Sequence, residues 1–231
     1  FRRIEAASLK IKTSFASAEG KRLFIRYFNT FQLGNHFISV IARTRLDHED
    51  VAKAEAAMRA QMDRIAEELN RAIDGAEALF QANGITRIAT YDTLPLEAEV
   101  GVLSSSSRRY LEILNKLDQL MPLLQTLEIH EVITTQAVDI ERAAFKRKVR
   151  DVANGARNMA TRLRREMNAL DTRRAAGDGG ATSVEGGQSS ASMQVVAVEA
   201  IASVPAASEQ TEEARPPEGP EDSQRQPVAE P

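Results

Sequence analysis

The sequence predicts a mainly α protein in which an N-terminal strand-helix-helix unit is followed by long antiparallel helices and a disordered C-terminal tail. Three observations support this fold class. Apolar and polar residues alternate over residues 9–15, which is typical of a half-buried strand. Between residues 47 and 174, apolar residues instead recur at helical spacing. After residue 174 the chain becomes rich in Pro, Gly, Ser and Glu, a composition that cannot bury enough apolar surface to fold.

These changes divide the 231 residues into three predicted parts. Residues 1–46 form the strand-helix-helix unit. Residues 47–174 form a helical hairpin or bundle that serves dimerisation or partner binding. Residues 175–231 form the disordered acidic tail.

The first unit has the layout of a ribbon-helix-helix DNA binder, in which two chains pair one strand each. Ser17 offers a side-chain oxygen to cap the first helix. Gly34 and Asn35 are predicted to end that helix, and a second helix runs from His36 to Leu46. The alternative is that the strand and the apolar first helix are simply pieces of a helical core.

In the ribbon interpretation, Lys10, Lys12 and Ser14 point outward and read base edges, because lysine donates to guanine and serine donates or accepts. Asn35 and His36 lie at the predicted start of the second helix. Unpaired amides and the positive end of the helix dipole at such a start bind a backbone phosphate. These five residues are the main candidate DNA contacts.

A long third helix is predicted from a cap at Asp47 to a stop at Asn83-Gly84. Its apolar residues follow a heptad-like stripe that predicts an antiparallel pair or a coiled-coil-like seam. The stripe comprises Val51, Met58, Met62, Ile65, Leu69, Ala72, Ala76 and Leu79.

A second strand is predicted near residues 96–102, where Glu97 and Glu99 point outward. Carboxylates repel phosphates, so this strand is the poorer DNA-binding candidate and is interpreted as an internal structural piece. A helix capped by the serines at 104–107 follows, with a kink or restart expected at Pro122. The last helix is predicted to begin near Val138.

Charge is distributed unevenly along the chain. Residues 1–46 carry a net charge of +7, residues 47–140 a net charge of −9, residues 141–174 a net charge of +7 and the tail a net charge of −8. Two basic ends flanking an acidic middle are typical of a protein that touches a polyanion. The alternative is that these charges lie on solvated helix faces that pair with each other.

Additional phosphate contacts are predicted for two pairs of arginines. Arg108 and Arg109 lie at a predicted helix start, where a bound phosphate would relieve their conflict with the helix dipole. The chain begins with Phe1 rather than Met, and Arg2 and Arg3 are expected to belong to a longer basic arm. The basic last helix is interpreted as packing beside the acidic middle, with phosphate binding as the alternative.

The sequence predicts no enzymatic activity, no metal and no cofactor. It has no cysteine, its three histidines lack metal-ligand spacing, and no nucleophile elbow, Walker loop or dinucleotide fingerprint occurs. The alternative of a catalytic carboxylate site assembled from distant residues stays open. The absence of cysteine suits a cytoplasmic protein, and because no apolar run is long enough to cross a membrane, no membrane contact is expected.

Three runs carry a resemblance to a known family: AEGKRLFIRYFNTFQLGNHFISVIAR at 18–43, AIDGAEALF at 72–80 and YLEILNKLDQLMPLL at 110–124. They resemble the AcaB-type regulators of conjugative plasmids and integrative conjugative elements, over about residues 10–170. The resemblance implies a cytoplasmic bacterial protein whose ribbon-helix-helix module helps to control transfer genes.

The resulting hypothesis is a sequence-specific transcriptional regulator of a mobile element. Its expected partners are double-stranded DNA, a second copy in a homodimer, and other regulators or transfer proteins. The alternative is a helical adaptor of the conjugative element that does not bind DNA.

Overall fold

A two-stranded antiparallel ribbon lies on a core of four long helices. The computed structural model describes residues 6–178, with side chains to residue 174. The elements in chain order are β1 (Leu9–Phe15), α1 (Ala18–His36), a π-helical segment (Phe37–Ile41), a 3-10 turn (Ala42–Thr44), α2 (His48–Ala82), β2 (Leu96–Val102), α3 (Ser105–Ile129) and α4 (Thr135–Asp178). The predicted mainly α fold with an N-terminal strand is confirmed. The predictions for Arg2, Arg3 and nearly all of the tail lie outside the described residues.

The order of elements repeats: β1-α1-α2 is followed by β2-α3-α4. Both strands are seven residues long, and each is followed two residues later by a serine that caps a helix. The Ser17 side chain accepts from the Gly20 amide, and the Ser104 side chain accepts from the Ser107 amide. The chain is therefore built from two β-α-α units, of which only the first was predicted as a unit.

The two units are packed across each other. The first helix of each unit lies against the second helix of the other unit, so that α1 contacts α4 and α3 contacts α2, while α1 and α3 meet at the centre. There the Phe31 ring stacks on Tyr110 at 4.4 Å, and the Tyr110 hydroxyl donates to the Val149 carbonyl at 3.2 Å. Burial raises the pKa of Tyr110, which keeps it a neutral donor. Residues 9–46 thus share their core with α3 and α4.

The prediction that the first helix ends at Gly34 and Asn35 was wrong. The backbone stays right-handed helical from α1 through the π-helical segment to Ala42. Gly34 allows close helix packing instead, since a Cβ at this position would lie 3.0 Å from the Ala156 carbonyl carbon and oxygen in α4. A glycine inside a helical pattern marked a helix crossing and not a turn.

Helix α2 begins after an Asp47 cap and ends at Asn83, followed by Gly84 with φ +64°, as predicted. Its buried stripe departs from the predicted heptad pattern near the C-terminal end, where Ile73 and Phe80 are buried and Leu79 is 39% exposed. An α-helix has 3.6 residues per turn, so a stripe with strict 3.5-residue spacing drifts off the buried face.

The last two helices also differ from prediction. Helix α3 continues through Pro122 without a restart, and Thr126 Oγ1 donates to the Pro122 carbonyl at 2.7 Å. Helix α4 begins at Thr135, three residues before the predicted start, and continues to Asp178, past the predicted tail boundary at residue 174.

Candidate nucleic-acid interface

The outward face of the ribbon is built from both strands of one chain. Lys10 lies opposite Gly101, Lys12 opposite Glu99 and Ser14 opposite Glu97. Directly opposed residues in an antiparallel pair point to the same side, and the lysine, serine and glutamate side chains of this face are exposed, while Gly101 is half-buried. The prediction that β1 pairs with its copy from another chain was wrong, because β2 occupies that position.

The inward face anchors the ribbon to the helices. Phe15 is fully buried and stacks on Phe24 of α1 at 4.7 Å between ring centroids. Thr13 Oγ1 donates to Asn115 Oδ1 of α3 at 2.9 Å, and Val100 and Val102 belong to the same core. The period-two alternation of β1 therefore has the predicted effect from Lys10 to Phe15, with Ile11, Thr13 and Phe15 inward and the lysines outward, whereas Leu9 at the strand start is 62% exposed.

Asp118 of α3 holds the junction between β1 and α1. Its carboxylate accepts from the Ala16 amide at 2.9 Å, from the Ser17 amide at 2.8 Å and from the Ser17 hydroxyl. A Cβ at Gly20 would collide with this carboxylate, so glycine at that position permits the approach. The carboxylate thereby fixes one end of the ribbon to the opposite unit.

The other end of the ribbon is held by α1. Gln32 Nε2 donates to the Gly101 carbonyl at 3.2 Å, and Gln32 Oε1 accepts from the Leu103 amide at 3.3 Å. One turn further along, Asn35 Nδ2 donates to Ser104 Oγ at 2.8 Å, so α1 contacts the cap of α3. Each unit thus fixes the strand-to-helix junction of the other unit.

The phosphate site at Asn35 and His36 was predicted because a helix was expected to begin there, and the structure shows no helix start at these residues. No helix begins there, so no unpaired amides or positive dipole end exists at these residues. Asn35 is buried and bonded to Ser104, while desolvation lowers the pKa of the half-buried His36 imidazole and favours its neutral form. Both residues lie within the packed helix.

Arg108 and Arg109 lie in the first turn of α3, as predicted, but both pair with carboxylates. Arg108 contacts Glu112 at 3.1 Å on its own helix, and Arg109 pairs with Asp63 of α2. These pairs already balance the arginine charges, so a phosphate there would have to compete with a carboxylate.

Helix α4 carries both paired and exposed cations. Lys148 Nζ lies 2.7 Å from Glu68 of α2, in agreement with the interpretation that the basic face packs beside the acidic middle. The Arg164 guanidinium lies 4.7 Å from the centre of the Phe37 ring. Arg147 and Arg157 are exposed and take part in none of the ion pairs found in residues 6–178.

Sequence reasoning missed that Glu97 and Glu99 share the face of the lysines. Two lysines and two glutamates give that face no net charge, and none of the ion pairs in the described region uses any of the four. The signal for the pairing was present: two strand patterns of equal length, each followed two residues later by a capping serine.

The described residues bring together no group of three or more His, Asp or Glu side chains that would hold a metal ion. None of their helices combines the length and apolarity that a membrane crossing requires.

The fold defines a helical protein that completes a two-stranded ribbon from tandem β-α-α units. Among solved structures, it is similar to AcaB from uropathogenic E. coli, with a TM-score of 0.68 and 20% sequence identity, over 79% of this chain and 94% of that one. The chain has the AcaB fold, which confirms the predicted resemblance for the fold. Comparison with protein-family models and with curated proteins gives no match.

Proposed function

We propose that this protein is a sequence-specific DNA-binding regulator of a conjugative or integrative mobile element, acting in the cytoplasm. The observation that carries the proposal is the exposed ribbon with Lys10, Lys12 and Ser14 on its outer face. The major groove of B-DNA accommodates a two-stranded ribbon, and lysine and serine hydrogen-bond to base edges there. The assignment to a mobile element rests on the resemblance of residues 18–43, 72–80 and 110–124 to AcaB-type regulators, and the similarity to the AcaB fold supports that resemblance.

The outer face matches a short stretch of duplex. Lys10 and Ser14 are four residues apart, which is about 14 Å at a rise of ~3.4 Å per residue. Successive base pairs in B-DNA also stack at ~3.4 Å, so the face covers about four base-pair steps. Because the anchors at Asp118 and Gln32 hold both ends of the ribbon, little ordering cost is expected on binding.

The test compares two double variants that remove the same charge. Lys10→Ala with Lys12→Ala alters the ribbon, and Arg147→Ala with Arg157→Ala alters exposed cations on α4. We expect the ribbon variant to lose about 1–3 kcal/mol of discrimination between an element-derived promoter duplex and a scrambled duplex. The α4 variant should weaken binding to both duplexes equally. Equal losses for both duplexes in the ribbon variant would refute base reading by β1.

The second candidate is a helical adaptor that binds transfer proteins and not DNA. The observation in its favour is the cancelled charge of the ribbon face, where Glu97 and Glu99 offset Lys10 and Lys12. A DNA binder loses affinity steeply with rising salt, whereas an adaptor would retain no duplex even at about 50 mM salt.

Homodimer formation is part of the proposal, with the helices of residues 47–174 as the expected dimerisation region. Pairing within the chain means that the ribbon itself does not require a second copy. Light scattering with and without duplex tests the oligomeric state separately from DNA binding.

A further inference from the structure

We infer that the ribbon reads DNA directionally: the lysine end selects guanine and the glutamate end selects the exocyclic amino group of cytosine, within an element that has no dyad at its centre. This inference rests on the proposed function and adds a role for Glu97 and Glu99. It follows from the pairing of two unlike strands in one chain.

The chemistry changes from one end of the outer face to the other. At one end, Lys10 lies across Gly101, where a Cβ would sit 3.0 Å from the Ser8 hydroxyl and 3.2 Å from the lysine Nζ, so the charged group at this end is a donor. At the other end, Glu97 lies beside Ser14, and its carboxylate can only accept. Lys12 and Glu99 at the middle supply one group of each kind.

These groups match different base edges. Guanine presents N7 and O6 as acceptors in the major groove, which suit a lysine ammonium. Cytosine presents its N4 amino group as a donor, which suits a carboxylate. A ribbon of two identical strands would place equal groups at both ends and would read a symmetric element. This ribbon places a donor at one end and an acceptor at the other.

The glutamates also lower the affinity for duplexes that lack cytosine at the matching position. Neither glutamate forms an ion pair within the described residues, so each brings a carboxylate toward the duplex that no cation contacts directly. Where no cytosine amino group lies opposite the carboxylate, the phosphates repel it and the affinity for that duplex falls. Removal of the carboxylates should therefore strengthen binding to unrelated DNA and weaken preference for the correct element.

The experiment selects duplexes from a random library with the full chain and with Glu97→Gln plus Glu99→Gln. These substitutions keep side-chain size on an exposed face, and circular dichroism checks the fold. The wild-type chain should enrich an element of about four or five base pairs without a central dyad. The variant should lose about fivefold to hundredfold of the preference for cytosine at one end of the element while it keeps guanine at the other. Its affinity for a scrambled duplex should rise.

Three results would overturn the inference. One is a selected element whose dyad passes through the centre of a single ribbon footprint. Another is an unchanged base preference in the glutamine variant. If the wild-type chain enriches no sequence and retains no duplex at low salt, the proposed function fails together with this inference. Enrichment of an element with a dyad at the centre of one ribbon footprint would overturn this inference alone.

Discussion

Replacement of Gly34 by alanine tests the helix crossing that connects the two β-α-α units. A Cβ at Gly34 would lie 3.0 Å from the Ala156 carbonyl carbon and oxygen and 3.2 Å from the Arg157 amide nitrogen. These are backbone atoms of α4, so the contact can be relieved only by moving one helix away from the other. Overpacking of this kind costs about 1–3 kcal/mol.

Gly75 provides the matched control, since it lies inside α2 and a Cβ there would meet nothing within 4 Å. Both substitutions gain the same intrinsic helix preference of alanine over glycine, about 1 kcal/mol. Gly75→Ala is therefore expected to stabilise the protein by about 0.5–1 kcal/mol, and Gly34→Ala to be less stable than Gly75→Ala by about 1–3 kcal/mol.

Urea unfolding followed by far-ultraviolet circular dichroism measures both free energies of unfolding, provided that the dependence on urea is the same in all variants. If Gly34→Ala were as stable as Gly75→Ala, the close approach of α1 and α4 would not be the reason for glycine at position 34.

Three further predictions follow from the junction at Asp118 and from His36. Asp118→Ala removes the acceptor for the Ala16 and Ser17 amides and should lower the free energy of unfolding by about 2 kcal/mol; a loss below about 0.5 kcal/mol would contradict the junction. Ser17→Ala removes the cap of α1 and should cost about 1 kcal/mol, and the double variant should cost less than both single losses together, as measured by a double-mutant cycle in urea. Burial lowers the pKa of His36, so the unfolded chain binds the proton more readily and stability should fall as pH drops below about 6.5. His36→Gln should reduce that fall in stability between pH 7.5 and pH 5.5. An unchanged pH dependence would contradict the contribution of His36.

Features set by nearby residues could be predicted from the sequence. The alternation of β1 and the caps at Ser17 and Asp47 depend on residues within a few positions of each other. The end of α2 likewise depends on Asn83 and the positive φ of Gly84. Each of these signals has a local physical cause, so a single sequence contains it.

Features set by distant residues could not be predicted in this way. Gly34 has the same local pattern whether it ends a helix or allows a crossing, and only the position of Ala156 decides between the two. Glu97 and Glu99 indicated a strand unsuited to DNA when β2 was considered alone. Because β2 pairs with β1, their charges belong to the same face as the lysines, and only the long-range pairing determines this.

Cross-packing explains how one chain can carry two unlike strands. Since α1 lies on α4 and α3 lies on α2, neither β-α-α unit buries its helices without the other. Because both units belong to one chain, they are always present in equal amounts. The covalent connection also determines which strands pair. In an assembly of identical chains, any change in the strand appears twice in the ribbon. Here a single substitution alters one end of the outer face and leaves the other end unaltered, so Lys10 and Glu97 can occupy opposite ends of one ribbon. The asymmetry of the face is thus a direct consequence of tandem β-α-α units within one chain.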